Sequence, residues 1–118
     1  MSQITDSILD STKASLGIVK EYNHFDDQVI MYINTVFSTL HQLGVGPDEG
    51  FYIEDASTTW DEYLGDNKNL NFVITYVHLR VKLMFDPPTN SFAVDAMKEQ
   101  AKEFEWRINV QVDPRREQ

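Results

Sequence analysis

Carboxylates are the most abundant reactive side chains of this sequence, and they are concentrated in one stretch. Seven Asp and Glu residues fall between Asp48 and Asp66, and the next basic residue is Lys68. Clustered carboxylates are ligands that Ca²⁺ prefers, but the DxDxDG order and the glutamate at the twelfth position are missing. Close acidic pairs that could act in acid–base catalysis are expected by chance among 19 acidic residues. The stretch therefore predicts a solvated acidic loop.

The other residue types that carry chemistry form no catalytic or metal-binding motif. His24, His41 and His78 show neither HxxxH nor HxH spacing, so a zinc site would require them to converge from separate elements. Cysteine is absent, and so are GxSxG, P-loop and GxGxxG motifs. We expect Trp60 and Trp106 to pack within the protein rather than to stack on a ligand. The sequence predicts no enzymatic activity, no metal and no cofactor.

The composition is that of a single globular domain covering residues 1–118. Of these residues 42% are hydrophobic and 25% are charged, and the formal net charge is −9. Such an acidic chain is a poor candidate for a broad nucleic-acid-binding face, which requires clustered Lys and Arg. The first residues do not resemble a signal peptide, and no run approaches the roughly 18 apolar residues of a membrane span. We expect a soluble, intracellular protein that does not bind membranes.

Two helices are predicted in the first part of the chain. Residues 4–17 have apolar side chains at helical spacing, with Thr5 or Asp6 as the expected cap. Residues 26–43 carry a longer apolar stripe, for which Asp26 is the expected N-cap. The first helix is short and must dock on another element, because a helix of about three turns is marginal alone.

A long connection, residues 45–69, follows the second helix. Its length of about 25 residues is unusual, because connections in compact domains commonly have about 4–6 residues. Residues 51–53 are a short apolar run that suits an extended or β segment. Thr59 and Glu62 have the spacing of a capping box, which predicts a single helical turn from residue 60. Loops of this length are usually functional or mobile.

The second half of the chain predicts two more helices and a tail. Residues 70–85 carry two apolar stripes on different faces, which is typical of a helix that is buried centrally or faces another subunit. Residues 91–110 form the last helix, with Asn90 or Ser91 as its cap. Residues 113–118 are polar and are expected to extend from the body.

These elements predict an all-α fold. It is a small helical bundle of three main helices plus a short N-terminal helix, with a long loop between the second and third helices. The expected core consists of Val29, Ile33, Phe37, Leu40, Val73, Val77, Val81, Met97, Phe104 and Ile108.

The chain also resembles a known family from about residue 8 to residue 112. The most specific segments are HFDDQVIMYIN, LGVGPDEGF, KLMFDPP and EFEWRINV. In overall pattern the sequence is similar to the small all-helical head–tail connectors, also called adaptor or head-completion proteins, of tailed phages and prophages of Gram-positive hosts. These segments are not catalytic motifs.

The resemblance implies a structural protein of the virion neck that is assembled in the host cytoplasm. It implies a subunit of a homo-oligomeric ring, most often of twelve copies, that sits under the portal protein and extends the DNA channel toward the tail. The implied partners are the portal and a downstream stopper or tail-completion protein, with DNA passing through the lumen without sequence-specific binding. Terminal segments of such connectors commonly reach into the portal.

Six residues are the candidate partner interface. Arg115 and Arg116 project from the tail, and the acidic connection presents Asp48, Glu49, Phe51 and Tyr52. Two other classes remain open from the residues alone. One is a small cytoplasmic helical interaction or regulatory module without a ring, and the other is a nucleic-acid-binding module. The latter lacks a basic recognition helix.

Overall fold

The computed structural model describes residues 6–65 and 72–112. They form five helices, α1 (Ile8–Ser15), α2 (Asp26–Gln42), α3 (Trp60–Leu64), α4 (Phe72–Phe85) and α5 (Ser91–Val112). The prediction of an all-α protein is confirmed. The described residues contain no β-strand, so the apolar run at 51–53 is irregular rather than a β segment. Among these residues, Ser7 and Thr59 form an isolated antiparallel β-bridge.

The first two helices begin differently from the prediction. Ser7, rather than Asp6, caps α1, because its hydroxyl accepts a hydrogen bond from the Asp10 N–H at 3.2 Å. Thr5, the other expected cap, lies outside the described residues. Asp26 is not the cap of α2 but its first residue, and Phe25 occupies the cap without a side-chain hydrogen bond. The reason is that the Asp26 carboxylate is paired with a lysine of α1.

The helix starts that depend on local side-chain chemistry agree with the sequence. Thr59 and Glu62 form the expected capping box, in which the Thr59 N–H donates to Glu62 Oε2 at 2.9 Å. Asn90 caps α5, because its side-chain oxygen accepts a hydrogen bond from the Phe92 N–H at 2.7 Å. Such caps depend on only a few neighbouring residues, so sequence spacing can indicate them, as it did for α3 and α5 but not for α1.

Helix α4 is central to the fold. It packs against α1, α2 and α5, and its buried side chains are Val73, Ile74, Tyr76, Val77 and Val81. The chain's own helices therefore bury most of the first apolar stripe, whereas Leu83 is half-buried and Met84 is 36% exposed near the end of the helix. The Tyr76 hydroxyl donates to Glu105 Oε2 at 2.7 Å and joins α4 to α5. The predicted start of this helix at Leu70 lies outside the described residues.

The core is larger than the sequence predicted. Nine of the ten expected residues are buried, and the exception is Met97, which is only half-buried. Its position explains this, because α5 packs on α4 through Ala101, Phe104 and Ile108, whereas residues 91–100 include no fully buried side chain. The 45–65 segment adds five further core residues, which are Val45, Ile53, Trp60, Tyr63 and Leu64.

Candidate interaction surface

The acidic connection is held against α2 by one asparagine. The Asn34 side chain accepts a hydrogen bond from the Ile53 N–H at 2.8 Å and donates one to the Ile53 carbonyl at 3.0 Å. Ile53 itself is 2% exposed. Both backbone groups of one loop residue are therefore satisfied by a single side chain, as buried peptide groups require. Ile53 is thereby held against α2, and with it the middle of the connection.

Aromatic rings fill the space beneath the connection. Phe37 of α2 stacks on Tyr63 of α3 with ring centroids 4.3 Å apart, and Phe51 lies 4.9 Å from the Tyr63 ring. Burial raises the pKa of the Tyr63 hydroxyl well above its usual value. Gly46 has a φ of +92°, and a Cβ there would lie 2.9 Å from the Tyr63 ring. This glycine is therefore required by both its backbone conformation and the close ring.

Exposure alternates along the same segment, so it presents one aromatic side chain to solvent. Phe51 is half-buried and Ile53 is buried, whereas Tyr52 is 67% exposed. Glu54, two residues after Tyr52, is exposed as well. Of the predicted interface residues on this segment, Tyr52 faces solvent, whereas Phe51 packs mainly within the protein. Tyr52 is the stronger candidate for contact with a partner, because tyrosine is enriched at protein interfaces.

The carboxylates of this surface are exposed, as the sequence indicated. Asp48, Glu49 and Glu54 form no ion pair or side-chain hydrogen bond with another described residue, although the Asp48 carbonyl accepts a hydrogen bond from His41 Nε2 at 2.9 Å. The Asp55 carboxylate accepts hydrogen bonds from the Ser57 hydroxyl and N–H, which lower the pKa of Asp55. We define Asp48, Glu49, Tyr52 and Glu54 as the acidic surface.

The histidines do not converge, and within residues 6–65 and 72–112 no group of three or more His, Asp or Glu side chains is arranged to hold a metal ion. His24 lies edge-on to Phe25 with centroids 4.8 Å apart, at the start of α2. His78 is half-buried, with its ring centroid 5.8 Å from that of Trp60. Burial lowers the pKa of His78 to about 4, so this side chain is neutral at pH 7.

Two other features were not predicted from the sequence. Lys13 is 1% exposed, and its ammonium lies 2.7 Å from Asp26 Oδ1 and donates to the Lys20 carbonyl at 3.0 Å. Its place on the apolar face of α1, four residues after Leu9, was the available signal. Trp106 was expected to pack, but it is 59% exposed, and Phe92 on the same helix is 84% exposed.

The predicted interface residues therefore divide into two groups. Asp48, Glu49, Phe51 and Tyr52 lie together on one connection that is fixed to α2. Arg115 and Arg116, like the whole segment 113–118, lie outside the described residues.

The model of the phage connector protein family matches residues 8–115 of the chain. The match covers nearly the whole chain, and the protein belongs to the phage connector family. Its role is accordingly structural, as a component of the phage neck, and the family is not an enzyme family. No curated protein and no solved structure matches the chain. Among the described residues, no helix is both long enough and apolar enough to cross a bilayer.

Proposed function

We propose that this protein is the subunit of a head–tail connector ring that docks under the portal and extends the DNA channel toward the tail. The observation that carries the proposal is the family match over residues 8–115. A ring of twelve copies is the form that the family resemblance implies. The portal lies on one side of the ring, and a stopper or tail-completion protein lies on the other. Assembly takes place in the host cytoplasm, and the ring remains in the neck of the virion.

The charge distribution supports a conduit for DNA. The net charge is −9, and residues 21–65 contain nine carboxylates and no Lys or Arg. Surfaces of like charge do not displace counterions from phosphate, so DNA passes without adhering to them. An acidic ring opening would therefore support packaging and ejection of the genome without sequence-specific contacts.

The direct test is the mass of the assembly formed with and without the portal protein of the same phage. Size-exclusion chromatography with light scattering should detect a ring in at least one of these conditions, and electron microscopy of the complex should show it on the tail-facing side of the portal. A chain that remains monomeric and unbound in both conditions would overturn the proposal. That result would favour a helical interaction module without a ring.

We further propose that the tail, residues 113–118, anchors the subunit to the portal. Arg115 and Arg116 together supply ten N–H donors for carboxylates on a partner. A weak contact repeated once per subunit becomes strong attachment through avidity. Deletion of 113–118 should leave the melting temperature of the free chain almost unchanged and weaken portal binding more than about tenfold. A six-residue neutral replacement is the matched control for length, and it should bind as weakly as the deletion.

A further inference from the structure

We propose that the groove between α4 and α5 receives the acidic surface of a second copy of this chain, so that successive subunits join head to tail. The inference rests on the ring proposed above and identifies the two surfaces that would form it. Such a heterologous contact, in which two different patches of one chain meet, generates a closed ring when the rotation between subunits closes.

The groove has an apolar floor and a basic rim. It measures about 440 Å³, and Leu83 and Met84 of α4 line it, with Met84 36% exposed. Three cations surround this floor, Arg80 from α4 and Lys98 and Lys102 from α5. Neither Arg80 nor Lys98 has a salt-bridge partner among the described residues, and Lys102 makes only an exposed pair with Glu99 at 3.7 Å. Such a pair contributes little and is easily exchanged.

One carboxylate, that of Glu105, also lines the groove. Glu105 accepts the Tyr76 hydrogen bond across the α4–α5 interface. Burial and this hydrogen bond raise the pKa of Tyr76 well above its usual value, so the hydroxyl remains a donor at neutral pH. Against this one carboxylate the groove presents three cations, so its lining carries a net positive formal charge that suits an anionic segment.

Charge is distributed unequally between the two parts of the chain. Residues 21–65 contain nine carboxylates and no Lys or Arg, whereas residues 72–112 contain five Lys or Arg and five carboxylates. Of the seven Lys and Arg side chains among the described residues, five lie on α4 and α5, and three of those line the groove. Two chains of net charge −9 repel each other overall, so their association requires a local contact between opposite charges.

The acidic surface has the chemistry that suits this groove. Tyr52 supplies an amphipathic ring for the apolar floor, and Glu49 and Glu54 flank it in the sequence with carboxylates for the rim. The Asn34–Ile53 hydrogen bonds hold the segment in place before it meets a partner. A preorganised segment loses less conformational entropy on binding, which favours association.

The two surfaces also lie on different parts of the molecule. The groove is formed by α4 and α5, and α5 packs principally on α4. The acidic surface is attached through Asn34 to a different helix, α2. This separation favours a head-to-tail chain of subunits. The tail residues 115–116 are both arginines, so they are a poor alternative occupant for a basic groove.

Charge reversal tests the pairing on the full chain. The groove variant carries Lys98→Glu and Lys102→Glu, and the loop variant carries Glu49→Lys and Glu54→Lys. Each variant alone brings like charges together, and we expect its subunit–subunit association, measured by light scattering with and without the portal protein, to weaken more than about tenfold. An equimolar mixture of the two should recover assembly, because each groove then meets an oppositely charged loop. Lys20→Glu with Lys82→Glu is the matched control for the groove variant, because it changes the net charge by the same amount outside the groove.

The outcomes separate the inference from the proposed ring. Recovery in the mixture, with an unaffected control, supports the pairing, and the recovered assembly should weaken with added salt. A groove variant that assembles as well as the control, or a mixture that fails to recover, overturns the pairing while a wild-type ring still stands. A wild-type chain that never assembles, with or without the portal, overturns the ring itself. Circular dichroism melts establish that each variant is folded.

Discussion

The buried pair of Lys13 and Asp26 leads to a prediction about which of its two partners is more costly to remove. Lys13 lies in α1 with 1% exposure, whereas Asp26 lies in the first turn of α2 with 29% of its side chain exposed. The ammonium also holds the Lys20 carbonyl in the connector between the two helices. The pair therefore joins α1, the connector and α2.

The magnitudes follow from this difference in burial. Asp26→Ala leaves an uncompensated ammonium inside the protein, which should cost about 3–5 kcal/mol of unfolding free energy. Lys13→Met leaves the Asp26 carboxylate, whose side chain is 29% exposed although its Oδ1 is buried, and one carbonyl without its donor, which should cost about 1–3 kcal/mol. The double variant contains no unpaired buried charge, so it should be more stable than Asp26→Ala alone. Adding Lys13→Met to Asp26→Ala is therefore expected to raise the free energy of unfolding.

Urea unfolding followed by far-ultraviolet circular dichroism provides the measurement. The four chains of the double-mutant cycle should share one m-value, so that the midpoints report stability. Lys82→Met, which removes an exposed lysine paired with Asp86 at 3.5 Å, is the control and should change the unfolding free energy by less than about 1 kcal/mol. If the double variant proves less stable than Asp26→Ala, the ammonium is not the source of the penalty and the reasoning is wrong.

Three further predictions concern the core and the acidic connection. Phe37→Ala should lower the free energy of unfolding by about 3–5 kcal/mol, because Phe37 is 1% exposed. Phe104→Ala should lie toward the lower end of this range, because Phe104 is 8% exposed. A loss of less than about 1 kcal/mol for either variant in a denaturant melt would contradict the packing. The pKa of His78 is about 4 in the folded chain and about 6.5 unfolded, so the unfolded state binds more protons between these values and stability falls as the pH falls. His78 should account for about 2 kcal/mol of the loss from pH 7 to pH 5, and His78→Leu should lack this part of the pH dependence in parallel melts. Asn34→Ala should lower the free energy of unfolding by about 1–3 kcal/mol and increase amide hydrogen exchange around Ile53. Unchanged exchange there would mean that the aromatic rings beneath the connection hold it without Asn34.

Local patterns were sufficient to predict most of the helical framework. The apolar stripe of α2, the capping box at Thr59 and the cap at Asn90 are all determined by residues within a few positions of one another. Short-range spacing can specify such features because helix period and capping are local properties. The family resemblance was likewise carried by the sequence, and the family match confirms it.

Contacts between distant residues were decided only by the tertiary structure. Asp26 has the right type for a cap, but it pairs with Lys13 instead, because α1 folds back onto α2 and brings a buried charge within 2.7 Å. In the same way the backbone N–H and carbonyl of Ile53 are hydrogen-bonded by Asn34, nineteen residues earlier in the chain. The α4–α5 groove requires Arg80 and Lys98 from two different helices. A linear pattern of residue types holds no information on which distant groups meet, because that depends on how the helices pack.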